Sequence, residues 1–170
     1  MKKYLFAALL LIATISMQAQ HDHGNKPANS EITKADSSAR PNVANEATQR
    51  QLNQILTSYY NIKNALVAGD AGSASTNASA FLRVANSIDL KVISEGNAHL
   101  LSKDAGRISE TKDIAKQRAA FASLSSNLVN VTKALKLTDT PGYVQYCPMK
   151  KAYWLSSEKE IRNPYYGSAM

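Results

Sequence analysis

Six residues, Ile114, Phe121, Leu124, Leu128, Val131 and Leu135, fall at intervals of three, four and seven over some twenty positions. A strand needs an interval of two, so this stripe can only be one face of an amphipathic helix. It predicts a helix from about Lys112 to Leu137. Three more segments carry the same signature. Leu52, Ile55, Leu56, Tyr59, Ile62 and Leu66 mark a helix from about Ala47 to Ala68. Gly69 stops it and Asp70 opens the next, a compact helix–helix turn. That next helix, about Ala71 to Ser87, presents Ala74, Ala78, Phe81, Leu82, Ala85 and Ile88, and its alanines are small enough to let helices approach closely. A third, about Ser94 to Ser109, shows Leu100, Leu101, Ala105 and Ile108. Each stripe must be buried, and four such helices with short connections favour an antiparallel up-down bundle. The expected fold class is all-α.

The pattern breaks at Thr138-Asp-Thr-Pro-Gly142. Beyond it lie the only cysteine, the only tryptophan and most of the tyrosines. Tyr143–Tyr146 alternates and leads, extended, into Cys147-Pro148-Met149. Pro148 has no N–H and a fixed φ, so this tripeptide is extended or turning. In an extended chain residues i and i+2 point to one side. Thiolate and thioether then converge on one soft cation. Ser157-Glu-Lys-Glu160 has the spacing of a capping box and predicts one helical turn. Asn163-Pro164 and Gly167 mark turns. Tyr153, Trp154, Tyr165 and Tyr166 are expected to lay an irregular, aromatic-rich tail against the bundle, which is core building and no sign of a cofactor site.

At the other end, Lys2-Lys3 and the apolar run Leu5–Ile15 read as a secretory signal peptide, too short to span a bilayer. Cleavage is expected after Ala19 or Gln20. With no cysteine near it, no lipid anchor is expected. Losing Lys2 and Lys3 takes the net charge from +7 to +5. The remaining lysines are scattered, so no nucleic-acid partner is expected. A lone cysteine in an exported chain is a free thiol, an intermolecular link or a metal ligand. Residues 21 to 46 are polar, with two prolines, and read as a disordered linker. Within them, His21-Asp22-His23 puts histidine at position three if cleavage follows Gln20. Amine, amides and imidazole then enclose a square-planar divalent copper or nickel ion. The other reading is a solvated polar tail. The division expected is thus 1–20 signal, 21–46 linker and 47–170 bundle with its Cys-Pro-Met tail.

Two polar residues interrupt the faces. Arg118 snorkels or pairs with a carboxylate of a neighbouring helix. His99 is either a capped core or surface residue or a further metal ligand. An enzyme is not expected. A cysteine nucleophile needs an oriented base, and no phosphate loop, paired-carboxylate pattern or Cys-x-x-Cys is present.

Tyr59-Tyr60…Ala65-Leu-Val-Ala-Gly-Asp70, Gln117-Arg118-x-x-Phe121-x-x-Leu124-Ser125, Val144-Gln-Tyr-Cys-Pro-Met149, Trp154-Leu-Ser156 and Ile161-Arg-Asn-Pro-Tyr-Tyr-Gly167 resemble the bacterial domain-of-unknown-function family 3347. The resemblance covers about Leu52 to Met170. It implies an exported, periplasmic or secreted helical domain associated with copper or related metals, with a heavy-metal efflux adaptor or pump as partner. Relatives often carry an insertion between Cys-Pro-Met and Trp-Leu-Ser, where this chain has only Lys150–Tyr153. They commonly continue past the methionine matching Met170 to a second cysteine, and this sequence stops there. The expected ligands of monovalent copper are therefore Cys147 and Met149, with His99 or Met170 as further donors and His21 and His23 as a separate N-terminal pair. The reading from a different class is a structural or adaptor module of a cell-envelope complex, with Cys147 a small buried hydrophobe.

Overall fold

The computed structural model describes residues 43–135 and 142–167. The segment expected to be a signal peptide and most of the expected linker, with His21 and His23, lie outside the described residues, as does Met170. Four helices come first: α1 (Val43–Ala68), α2 (Ala71–Asn86), α3 (Glu95–Ser109) and α4 (Ile114–Leu135). Two strands follow, β1 (Tyr143–Cys147) and β2 (Ala152–Ser156). Most of each apolar stripe is buried: Leu52, Tyr59, Ile62 and Leu66 on α1, Phe81 on α2, Leu101 and Ile108 on α3, Phe121, Leu124 and Leu128 on α4, while Leu100 and Leu135, expected on the stripes, are exposed. Consecutive helices pack side by side into a bundle. α1 begins at Val43, inside the segment expected to be linker.

The helix ends follow local chemistry. Gly69 takes the left-handed conformation, φ +73°, which costs glycine nothing and lets the chain reverse. Asp70 then accepts from the Ser73 amide at 2.9 Å and caps α2. Asp113 accepts from the Ala115 and Lys116 amides, which is why α4 starts at Ile114. At the same end of the bundle the buried Gln117 amide donates to the carbonyls of Ala71, Ile108 and Thr111. It ties the starts of α2 and α4 to the end of α3.

The tail is not irregular throughout. β1 and β2 form an antiparallel hairpin in the register Tyr143↔Ser156 to Cys147↔Ala152. The Leu155 amide donates away from β1, to the Tyr59 hydroxyl at 3.2 Å. The Tyr153 carbonyl also faces away, accepting from the Tyr165 hydroxyl at 2.6 Å. Val144↔Leu155 and Tyr146↔Tyr153 are therefore the non-hydrogen-bonded pairs of the ladder, where side chains approach closest. The rings of Tyr146 and Tyr153 accordingly meet at 4.6 Å.

Two expectations for the tail need correction. Ser157–Glu160 forms a bend and no helical turn. The carbonyls of Glu158, Lys159 and Glu160 converge on the Gln145 amide, whereas a helix would align them along its axis. Of the four aromatics expected against the bundle, Trp154 and Tyr165 are buried and Tyr166 is half-buried. Tyr153 is exposed, its ring tilted against that of Tyr146. Of the two alternatives for Arg118 on α4, the carboxylate pair is not found among the described residues. Arg118 donates to the Leu66 carbonyl at 3.0 Å, at the end of α1.

Candidate functional site

Cys147 ends β1 facing the bundle and is 1 % exposed. The chain then turns through Pro148–Lys151 and returns as β2 at Ala152. Lys151 closes this turn in the left-handed conformation, φ +53°. The turn winds around the sulfur, so that the Lys150 amide donates to Cys147 Sγ at 3.4 Å. A second donor comes from the far end of the tail: Asn163 Nδ2 lies 3.3 Å from the same sulfur. The Asn163 orientation is fixed by its own oxygen, which accepts from the Tyr165 amide at 2.9 Å.

Asn163 is held in turn. Its carbonyl accepts from the Gly167 amide at 2.8 Å, and Gly167, at φ +63°, lies against the end of α1. A Cβ there would meet Arg118 Nη2 at 2.6 Å and the Val67 carbonyl at 3.0 Å. Only glycine fits, in conformation and in space. A cleft of about 400 Å³ runs along this strap, lined among others by Asn64, Glu160, Arg162 and Asn163.

The hydroxyls behind the hairpin are deeply buried. Tyr59 shares a 2.6 Å bond with Ser125 Oγ. Burial pushes its pKa far up, with the Ser125 and Leu155 hydrogen bonds opposing. Tyr165 is pushed up to about 12 for the same reason, burial. Lys63 is 1 % exposed. Its amine donates to Ser156 Oγ at 3.4 Å, and burial holds it below the usual lysine range, with the Glu158 carboxylate offsetting part of the effect.

The expected ligands are placed unequally. The turn at Pro148 replaces the extended geometry that would set both sulfurs on one side. Cys147 is sealed, while Met149, in the turn, is 59 % exposed. His99 is exposed on α3. Asn127 of α4 donates to Asp104, and His99 lies more than a turn beyond that level. Cys147 instead adjoins Asn163 and Tyr165, whose ring meets Phe121 early in α4. At 1.5 Å per helical residue the separation is on the order of 10 Å or more along the bundle. His99 and Cys147 are not brought together. Among the described residues no group of three or more His, Cys, Asp or Glu is placed to hold a metal.

The sequence reading missed Asn163, taken only as the start of a turn, because its partner lies 16 residues away. Lys63 left a visible signal. It stands four residues after Tyr59 and three before Leu66, on the apolar stripe of α1, where a lysine must be accommodated.

Residues 55–140 match the profile of a protein family of unknown function, DUF3347. The chain belongs to this family. The matched residues run from within α1 past the end of α4, so DUF3347 membership rests on the helices, and the Cys147 turn and Asn163 lie outside the match. No curated protein and no solved structure matches the chain.

Proposed function

We propose that this chain is an exported, periplasmic protein that binds a soft metal ion, monovalent copper, at Cys147 and Met149, for copper handling or efflux. One observation carries the reading: the Cys147 sulfur accepts two N–H bonds, from Lys150 and Asn163, with a thioether two residues on and open to solvent. N–H donors around a cysteine sulfur orient and tune thiolate ligands from outside the coordination shell. The donor set suits a low-coordinate thiophilic ion, for which two or three side chains suffice. It does not suit zinc, which takes at least three protein ligands from Cys, His, Asp or Glu and a four-coordinate site. Met149 captures the ion at the surface and Cys147 anchors it, while Asn163 holds the sulfur in place. His99 takes no part.

The test is a titration of the mature protein with monovalent copper against a competing chelator. Cys147→Ser abolishes tight binding and Met149→Leu weakens it about tenfold or more. Because the ligand is the thiolate, affinity falls with acid. Equal affinity in wild type and Cys147→Ser overturns the assignment.

A second reading draws on the burial of Cys147 in the hydrophobic core. On it the cysteine is a structural residue of an envelope adaptor module. A thiol that alkylates only at the rate of global unfolding, in a protein with no response to copper, decides for that reading.

A further inference from the structure

The two edges of the hairpin are treated differently. On β2 the outward Leu155 amide is taken by Tyr59 and the outward Tyr153 carbonyl by Tyr165, and α4 packs against the strand. On β1 the outward N–H and C=O groups belong to Val144 and Tyr146, the residues opposite Leu155 and Tyr153. Among the described residues nothing hydrogen-bonds to them. Val144 is 50 % and Tyr146 45 % exposed. The strand reads Tyr-Val-Gln-Tyr-Cys, all β-compatible and without a charge, proline or bulge. Edge strands that are meant to stay single are guarded by such features. This one is not.

We propose that β1 pairs with β1 of a second copy of this chain, antiparallel, about a two-fold axis at Gln145. The reason is self-complementarity. A two-fold at Gln145 sets Val144 opposite Tyr146 of the second copy, and Tyr146 opposite its Val144. Each of these is a hydrogen-bonded pair, so every open N–H and C=O of both edges is used. The side chains that meet are aromatic against β-branched, a favoured cross-strand combination. No like charges face each other despite the basic chain, so the contact is isologous and closed. The helices reach the hairpin through β2 and the Tyr59 hydroxyl beyond it, on the side away from the new seam. The product is a continuous sheet in the order β2-β1-β1-β2. An acidic peptide or another protein's strand is a weaker fit, since the edge carries no charge to select one.

Sedimentation of the full mature chain, with chelator present, tests this across a hundredfold range of concentration. A reversible monomer–dimer equilibrium is expected. Val144→Lys puts a charge on the edge while leaving the β1–β2 ladder intact, and it raises the dimer dissociation constant at least tenfold with an unchanged circular dichroism spectrum and melting temperature. Tyr146→Pro removes an outward N–H and raises the dissociation constant likewise, but it also removes the ring that meets Tyr153, so a lower melting temperature is expected there and Val144→Lys is the cleaner variant. The register is read by mixing Val144→Cys and Tyr146→Cys chains under mild oxidation: the mixed cross-link forms in preference to either homodimer. A chain monomeric at every concentration overturns the proposal, as do a dimer indifferent to Val144→Lys and a cross-link formed equally by Val144→Cys alone. None of these outcomes bears on copper, so this inference and the metal reading stand or fall separately.

Discussion

Lys63 lies on the α1 stripe between Tyr59 and Leu66 and cannot lift its amine into water. Among the described residues its amine donates only to Ser156 Oγ, which also accepts from the Glu158 amide. Burial therefore lowers its pKa, with Glu158 offsetting and Arg162 adding slightly. Between the lowered folded value and the ordinary 10.5 the unfolded chain binds more protons, so stability rises with pH in that window. Below that window the cost of a buried ammonium is borne in full. Lys63→Met is expected to stabilise the protein at pH 7 by about 1 kcal/mol or more. That advantage shrinks as the pH climbs through the window. Tyr59 and Tyr165 act in the opposite sense. Their raised pKa values contribute stability that is present below the unfolded value of 10.0 and lost as pH rises above it. Both chains share that loss, so the difference between urea midpoints at neutral and alkaline pH isolates Lys63. A variant less stable at pH 7 by a gap that does not move with pH contradicts the assignment.

At the level of elements, the helices were legible because each announces itself locally. Stripe, stop and cap for α1 and α2 all fall within adjacent residues, as Gly69 and Asp70 show. The hairpin was only half legible. Alternation at Tyr143–Tyr146 predicted an extended β1, but Tyr153-Trp154-Leu155 does not alternate in polarity, and pairing is a property of two segments. Glu160 spaced three from Ser157 carried a local helical signal, and the remote Gln145 amide overrode it. The site followed the same division. Cys147 and Met149 stood out by chemistry, whereas Asn163 depends on the strap from Asn163 to Gly167 folding back. That strap makes its own prediction. Gly167→Ala forces a side chain into the left-handed region at about 1–2 kcal/mol and drives a Cβ into Arg118 and the Val67 carbonyl. The expected result is a loss of stability of that size or larger. Because Asn163 loses its anchor, Cys147 is also expected to alkylate several-fold faster under native conditions. Asp70→Ala, which removes the α2 cap at a cost of about 1 kcal/mol, is the control, since it loosens the protein without touching the strap. Equal alkylation rates in the two variants would mean that the strap does not guard the thiol.

For the molecule as a whole, the question is whether bundle and hairpin form one folding unit or two. The family match ends before the hairpin, yet Tyr59 bonds to both Ser125 of α4 and Leu155 of β2. Its ring stacks on Phe121 at 5.1 Å, and Phe121 meets Tyr165. Trp154, 0 % exposed, belongs to the same core cluster as the helix stripes. A two-stranded hairpin is marginal alone, so β1 and β2 persist because this core holds them, and without them Tyr59 and Phe121 would face water. One cooperative unit is therefore expected. The chain supplies its own reporters. Trp154, the only tryptophan, reads the hairpin by fluorescence, and far-ultraviolet circular dichroism reads the helices. In urea the two signals should fall on one transition. Tyr59→Phe strands the Leu155 amide and Ser125 hydroxyl at a cost of about 1–3 kcal/mol, and it should move both curves together to lower urea. A tryptophan transition that separates from the helical one, in wild type or in Tyr59→Phe, would make the hairpin a detachable flap on an independently stable bundle.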